Sequence, residues 1–99
     1  MRGNTYKGEF ANNRRNGHGV YTFVATGMVY TGAWKDNLYH GEGTLQDDVG
    51  TYVGTFVCGK KHGLGKFHDN RKNKDFDGTW ENNRWVGGAV SVSPAQNTV

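Results

Sequence analysis

An aromatic–x–Gly–x–aromatic segment occurs four times in this chain of 99 residues, and the repetition constrains the fold more than any other feature. The copies read YKGEF, YTGAW, YVGTF and FDGTW. Their leading aromatics follow one another at intervals of 24, 22 and 24 residues, at Tyr6, Tyr30, Tyr52 and Phe76. A glycine stands 11 positions after each leading aromatic, at Gly17, Gly41, Gly63 and Gly87. A period in this range is typical of arrays in which each unit packs on its neighbours.

Each copy has the alternation of a β-strand. In an extended first copy, Tyr6, Gly8 and Phe10 share one face and Lys7 and Glu9 lie on the other. A turn-prone polar segment follows each copy, and the chain then continues as a second extended segment such as GHGVYTFV or GLGKFH. The sequence therefore predicts an all-β fold, an elongated single-layer antiparallel sheet of about four consecutive β-hairpins. We expect the array to span residues 1–92, with repeats that start near residues 6, 30, 52 and 76, and a flexible tail over residues 93–99.

The glycines of the repeat share a face with the aromatic residues. Glycine weakens a strand unless another group must approach the backbone closely. A ring on one strand can lie over the bare backbone of a glycine on the next strand. We therefore expect the rings to cover one face of the sheet without a second layer.

Composition limits the class of protein. The chain contains five Tyr, five Phe and three Trp, and its single Cys58 excludes an internal disulfide and fits a reducing compartment. The sequence has neither the apolar run of a secretory signal nor the roughly 18 apolar residues of a membrane-spanning helix. We expect a cytoplasmic or organelle-facing intracellular protein, and the position of Met1 just before the first repeat favours a complete small protein.

The motif Tyr-x-Gly-x-Trp/Phe followed by His-Gly-x-Gly resembles the MORN repeat (membrane occupation and recognition nexus). The second and third copies match best, with YTGAW…HGEG and YVGTF…HGLG. The first copy has Asn16 where the family favours His. The fourth has Phe76 for Tyr, Val86 for His and Ala89 for Gly, so we expect a less regular second strand and a terminal, capping repeat.

The resemblance implies a binding function. MORN arrays act as scaffolds, homodimerise end to end and bind partner proteins along the aromatic face, and some were proposed to bind phosphoinositides. We therefore expect a non-catalytic protein-interaction scaffold or a small structural subunit of a larger assembly, such as a cytoskeletal one. Homodimerisation or a multisubunit complex would supply the protein partners, and an accessory subunit of an enzyme complex is a further alternative. The expected partner-binding face consists of Tyr6, Phe10, Tyr30, Trp34, Tyr52, Phe56, Phe76 and Trp80.

Catalytic and metal-binding patterns are weak. The GHG, GEG and GLG segments lack the later glycine and the strand-to-helix setting of a nucleotide-binding fingerprint. A zinc site needs three or four converging ligands, and the four histidines have one cysteine beside them. For His40 and His62, which recur at equivalent repeat positions, a turn-anchoring role is favoured. The sequence predicts no enzyme, no cofactor and no metal.

Basic residues recur eight and nine positions after the leading aromatics. These pairs read Arg14-Arg15, Leu38-Tyr39, Lys60-Lys61 and Arg84-Trp85, so stacking would place three basic hairpin tips along one edge. The alternative function is a peripheral membrane module, because each Lys or Arg near an anionic surface contributes about 1 kcal/mol. Solvated turns and protected sheet edges carry the same residues. Candidate anionic-lipid contacts are Arg14, Arg15, Lys60, Lys61, Arg71, Lys72, Lys74 and Arg84.

Two further features point to protein contacts, whereas nucleic acid is disfavoured because the rings are needed to cover glycine. Tyr39 and Trp85 are not required by the motif and are candidate interface anchors, with local packing as the alternative. The last strand, GGAVSV, is β-branched and uncharged at its end. We expect this edge, with Val90 and Val92, to pair with a second copy or with a partner's strand.

Overall fold

The computed structural model describes residues 3–92 as one open antiparallel sheet in which eight strands follow one another in chain order. The expected all-β, single-layer fold is thus confirmed. The predicted tail over residues 93–99 lies outside the described residues. The strands are β1 (Thr5–Ala11), β2 (Arg14–Phe23), β3 (Met28–Lys35), β4 (Leu38–Gln46), β5 (Gly50–Val57), β6 (Lys60–Asp69), β7 (Lys74–Glu81) and β8 (Arg84–Val92).

Two-residue turns close the four hairpins at one end of the sheet. Both turn residues have positive φ, for example +48° at Asp36 and +73° at Asn37. This is the type I′ geometry, which matches the twist of the paired strands and favours Asn, Asp and Gly. The other tips are Asn12–Asn13, Cys58–Gly59 and Asn82–Asn83.

Glycines form a continuous line across the strands. Each member pairs with the next, in the order Gly8, Gly19, Gly32, Gly43, Gly54, Gly65, Gly78 and Gly88. A Cβ built on Gly43 would lie 2.6 Å from Cε1 of Tyr30, and the Tyr6 and Tyr52 rings cover Gly19 and Gly65 in the same way. The rings therefore occupy the space that side chains would need, which confirms the expected cover of glycine by aromatic rings.

The core lies entirely on this side of the sheet, which we call the aromatic face. Its buried members are Tyr30, Trp34, Tyr52, Phe56 and Trp80. The second aromatic of a repeat packs edge-on against the leading tyrosine of the repeat before it, with ring centroids 5.2 Å apart for both Tyr30–Phe56 and Tyr52–Trp80. Aromatic pairs in this geometry stabilise beyond the area that they bury, by about 1 kcal/mol.

Side chains ten positions after the leading aromatics connect one hairpin to the tip of the next. Nδ1 of His40 accepts a hydrogen bond from the Cys58 N–H at 3.2 Å, and Nδ1 of His62 accepts one from the Asn82 N–H at 3.4 Å. Oδ1 of Asn16 accepts the equivalent bond from the Asp36 N–H at 3.1 Å. The expected turn-anchoring role of the two histidines is observed, and Asn16 performs it in the first repeat.

The fourth hairpin pairs in a different register. In the first three, the leading aromatic pairs with the residue 15 positions later, as Tyr52 does with Phe67. In the fourth, Phe76 pairs with Val90, which is 14 positions later. The one-residue shift turns Ala89 to the opposite face and places Gly88 against Gly78. The expected irregularity of this strand is thus confirmed.

Candidate protein-interaction surface

The eight residues of the predicted binding face differ in exposure. Five form the buried core, and Tyr6 and Phe76 are half-buried against it. Phe10 is 62% exposed, whereas the equivalent Trp34, Phe56 and Trp80 are at most 6% exposed. The difference arises because β1 is the first strand of the described sheet, in which no leading tyrosine of another repeat packs on Phe10.

Neighbouring residues at the start of the second hairpin strands point in different directions. The first of each pair, Arg14, Leu38, Lys60 or Arg84, is exposed at the tip. The second is half-buried on the aromatic face, at Arg15, Tyr39, Lys61 and Trp85. Successive strand residues alternate between faces, so the paired basic residues of the sequence separate in space.

Tyr39 and Trp85 pack on rings of their own hairpins. The Tyr39 ring stacks on Tyr30 with centroids 3.9 Å apart and planes 10° from parallel. Burial raises the pKa of Tyr30, as does the neighbouring Tyr39, and burial also raises the pKa of Tyr39. Trp85 lies edge-on to Phe76 at 5.4 Å, and its indole N–H donates to the Asp77 carbonyl at 3.4 Å. Local packing thus accounts for much of both rings, and their role as interface anchors stays a prediction.

Arg15 occupies the position in the first repeat that is equivalent to Tyr39 and Trp85. Its guanidinium carbon lies 4.9 Å from the Trp34 ring centroid and 5.0 Å from that of Tyr21. Nη2 donates to the Asn37 carbonyl at 3.2 Å, while the buried Nε has no acceptor within residues 3–92. A half-buried cation over aromatic rings gains on the order of 1 kcal/mol from the ring quadrupoles.

Lys61 repeats this arrangement in the third repeat. Its ammonium nitrogen lies 5.6 Å from the ring centroids of Tyr52 and Phe67 and 5.7 Å from that of Trp80. Burial lowers the pKa of Lys61, because the charged form loses hydration beside the rings.

Two shallow cavities open beside these cations. A cavity of about 320 Å³ is lined in part by Arg15, Tyr21, Trp34 and Tyr39. One of about 250 Å³ is lined by Lys61, Phe67, Phe76, Trp80 and Trp85. The aromatic face therefore carries two ring-walled depressions, each with one positive charge.

The other candidate lipid contacts are dispersed. Nη1 of Arg14 lies 3.8 Å from Oδ1 of Asp36, and both side chains are more than half exposed. Lys60 and Arg84 are exposed at the same end of the sheet. Arg71 and Lys72 lie in the turn between β6 and β7, and Lys74 begins β7, so these three are at the opposite end. The structure does not bring the eight basic residues to one surface.

The outer edge of β8 is apolar and exposed. This strand pairs with β7 alone within the described sheet, and Val86, Val90 and Val92 are 54%, 48% and 57% exposed. Val90 pairs with Phe76 and therefore lies on the aromatic face. No helix in residues 3–92 could cross a membrane.

Sequence reasoning missed one set of residues on the aromatic face. These residues stand 15 positions after the leading aromatics and pack against the core, at Tyr21, Leu45 and Phe67. The repeat spacing could have identified them, because each lies two residues beyond the second glycine of its repeat and therefore on the same face of the strand.

The fold and the recurring motif define a β-hairpin repeat protein. A family model described as MORN repeat matches residues 6–25, 30–51 and 52–73, which is more than half of the chain. The chain belongs to the MORN repeat family. The fourth hairpin, with its shifted register, lies outside the matched segments.

Relatives are similar to this chain over part of their length. Alsin from Homo sapiens and from Rattus norvegicus is 32% identical over 94 residues, which cover 89% of this chain and 6% of Alsin. MORN repeat-containing protein 3 from Xenopus laevis is 37% identical over 72 residues, which cover 66% of this chain and 30% of that protein. The chain thus spans less than a third of the length of these relatives.

Proposed function

We propose that this chain is a non-catalytic protein-interaction scaffold that binds a partner through the aromatic face and the outer edge of β8. The observation that carries the proposal is the apolar outer edge of β8, which has no partner strand within the described sheet and adjoins that face. Val90 and Val92 are about half exposed there, at 48% and 57%. Membership of a family of interaction modules is consistent with this function.

The two sheet edges differ in a way that favours β8. Proteins protect edge strands with charged residues, and β1 carries Lys7 and Glu9. From Val86 to Val92 the last strand has no charged side chain. A partner strand added here gains main-chain hydrogen bonds, and its side chains contact Val90 and Val92.

The alternative of anionic-lipid binding receives less support from the side-chain positions. Arg15 and Lys61 lie against rings, and Arg71, Lys72 and Lys74 are at the far end of the strands. A flat membrane surface would therefore meet the tip cations Arg14, Lys60 and Arg84 in one orientation and the other three in another.

The test is affinity isolation from the native source with the wild-type protein and two charge variants. Val90→Lys places an ammonium on the β8 edge, and Val53→Lys places one at a similarly exposed valine on an interior strand. We expect a specific protein to be recovered with wild type and Val53→Lys and to be depleted at least tenfold with Val90→Lys. Equal recovery with all three proteins would contradict the role of this edge.

A further inference from the structure

Two cations stand on the aromatic face with no carboxylate in ion-pair contact among residues 3–92, although Asp47 lies close enough to attract Lys61. Arg15 and Lys61 occupy equivalent positions two repeats apart, and each lies within 6 Å of three ring centroids. Partly buried cations lose hydration, which an anion in direct contact can replace. The lowered pKa of Lys61 reflects this lost hydration.

None of the described carboxylates forms an ion pair with either cation. The ion pairs found within residues 3–92 join Arg14 to Asp36 at a tip and His68 to Asp75 across two strands, and neither includes Arg15 or Lys61. Asp47 and Asp69 accept hydrogen bonds from backbone N–H groups in the turns at the far end of the strands, and the attraction of Asp47 offsets only part of the burial that lowers the pKa of Lys61. The middle of the aromatic face therefore presents two positive charges among rings.

We propose that this face binds an acidic, extended peptide segment of a partner protein, with one carboxylate at Arg15 and a second at Lys61. This inference rests on the proposed scaffold function and names the chemistry of its partner. Each carboxylate would enter one of the ring-walled cavities, of about 320 and 250 Å³. Charge-assisted hydrogen bonds to the guanidinium and the ammonium replace their missing anionic partners.

The sheet geometry sets the spacing of the two acids. Arg15 is on β2 and Lys61 on β6, four strand positions apart. Neighbouring strands are separated by about 4.8 Å, so the cations are about 19 Å apart, and an extended chain advances by about 3.3 Å per residue. The two acidic residues should therefore be about six positions apart in the peptide, which crosses the strands and passes over Tyr39 of β4.

A protein segment fits this surface better than a lipid headgroup. Arg14 and Lys60, one residue before Arg15 and Lys61, are exposed at the hairpin tips, and a membrane would meet these cations before the two on the aromatic face. Arg15 and Lys61 lie in depressions with apolar ring walls. These walls can contact the methylene groups of Asp or Glu side chains and the side chains of neighbouring peptide residues.

The test is selection of a displayed library of random 12-residue peptides on the full chain, followed by affinity measurement from tryptophan fluorescence, to which Trp34, Trp80 and Trp85 contribute. Enriched peptides should carry two Asp or Glu residues five to seven positions apart. Replacing either acid by its amide should weaken binding at least about tenfold, the effect of losing one charge-assisted contact.

Matched protein variants locate the site. Arg15→Gln and Lys61→Gln should each weaken binding about tenfold, whereas Arg14→Gln and Lys60→Gln, which remove the same charge one residue away, should change it less than twofold. Urea unfolding midpoints of the four variants identify any loss due to misfolding. The peptide amides test the same contacts without altering the protein.

Three outcomes would overturn the inference. Enriched peptides without paired acids, or binding that is insensitive to Arg15→Gln and Lys61→Gln, would show a different recognition chemistry and leave the scaffold function intact. Enrichment of no peptide would remove peptide recognition by this face, while the Val90→Lys isolation tests the scaffold function separately. Vesicles with anionic phospholipid that bind through Arg14 and Lys60, with no effect of the peptides, would favour the membrane alternative.

Discussion

The first three hairpins and the fourth are built from the same motif but hold their leading ring differently. The tyrosine hydroxyls donate to the carbonyl three residues later, from Tyr6 to Glu9 at 2.8 Å, Tyr30 to Ala33 at 2.7 Å and Tyr52 to Thr55 at 3.0 Å. Phe76 has no hydroxyl, and its hairpin pairs one residue out of the common register. The two kinds of hairpin nevertheless share one feature of the repeat, which the sheet preserves where the motif changes.

The preserved feature is the glycine line. With Ala89 at the position of the second repeat glycine, the common register would place a methyl group against Gly78. The shifted register instead pairs Gly78 with Gly88 and leaves Ala89 exposed on the other face. Close backbone contact across the strands thus determines the pairing, and the spacing of the motif follows it.

The largest effect should come from filling the glycine line beneath a tyrosine. In Gly43→Ala the new methyl group would overlap the Tyr30 ring, because its Cβ lies within 2.6 Å of Cε1. We expect a loss of about 3 kcal/mol in the free energy of unfolding, which is typical of an overpacked core, measured by urea denaturation.

The matched control is Gly87→Ala in the fourth hairpin. A Cβ at Gly87 has no heavy atom within 4 Å, so this change should alter the free energy of unfolding by less than about 1 kcal/mol and could raise it by reducing the freedom of the unfolded chain. Equal losses of unfolding free energy at Gly43 and Gly87 would contradict this explanation. They would show that replacing any strand glycine is destabilising, whether or not a ring covers it.

A smaller effect is expected from Tyr30→Phe, which makes a regular hairpin resemble the fourth. The change removes the hydroxyl that donates to the Ala33 carbonyl at 2.7 Å and keeps the fully buried ring. We expect a loss of about 1.5 kcal/mol, for a hydrogen bond removed and an acceptor left without it. Phe76→Leu is the control, because Phe76 has no hydroxyl to lose. In Tyr30→Phe, the backbone amide chemical shifts of the turn at the tip of the second hairpin should stay unchanged.

Most of the fold followed from the sequence, because period-2 alternation and a fixed repeat length leave few arrangements for these residues. The directions of Arg14 and Arg15 could have been separated by the same alternation. The shifted pairing at Gly88 could not have been predicted, because the adjacent Gly87 and Gly88 allow two registers. The choice between them depends on contacts with β7. The exposure of Phe10 could not be predicted either, because Phe10 has the repeat position of a core residue. Only its location on an edge strand distinguishes it from the equivalent residues.

Alkaline pH should distinguish the tyrosine hairpins from the fourth. Burial raises the pKa of Tyr30 and Tyr52 above the ordinary value of 10.0. Above pH 10 the unfolded chain therefore releases these protons while the folded chain keeps them, so stability falls as pH rises. Lys61, whose pKa burial lowers from 10.5, acts in the opposite direction. The difference in urea midpoint between wild type and Tyr30→Phe should shrink from pH 9 to 11, and a constant difference would contradict the assignment.

The smallest effect, and a stabilising one, is expected at the tip of the third hairpin. Cys58 has a φ of +48°, where the equivalent tip residues are Asn12, Asp36 and Asn82. A left-handed conformation disfavours most side chains, whereas Asn and Asp adopt it more readily. Cys58→Asn keeps the backbone N–H that donates to His40, and the side chain is exposed, so the gain should be about 0.5 kcal/mol in urea denaturation. Asn82→Cys, at an equivalent tip position with the same φ of +48°, should lose a similar amount. Opposite signs for the two changes would place the effect in turn conformation, whereas a loss from both would place it in contacts of the cysteine.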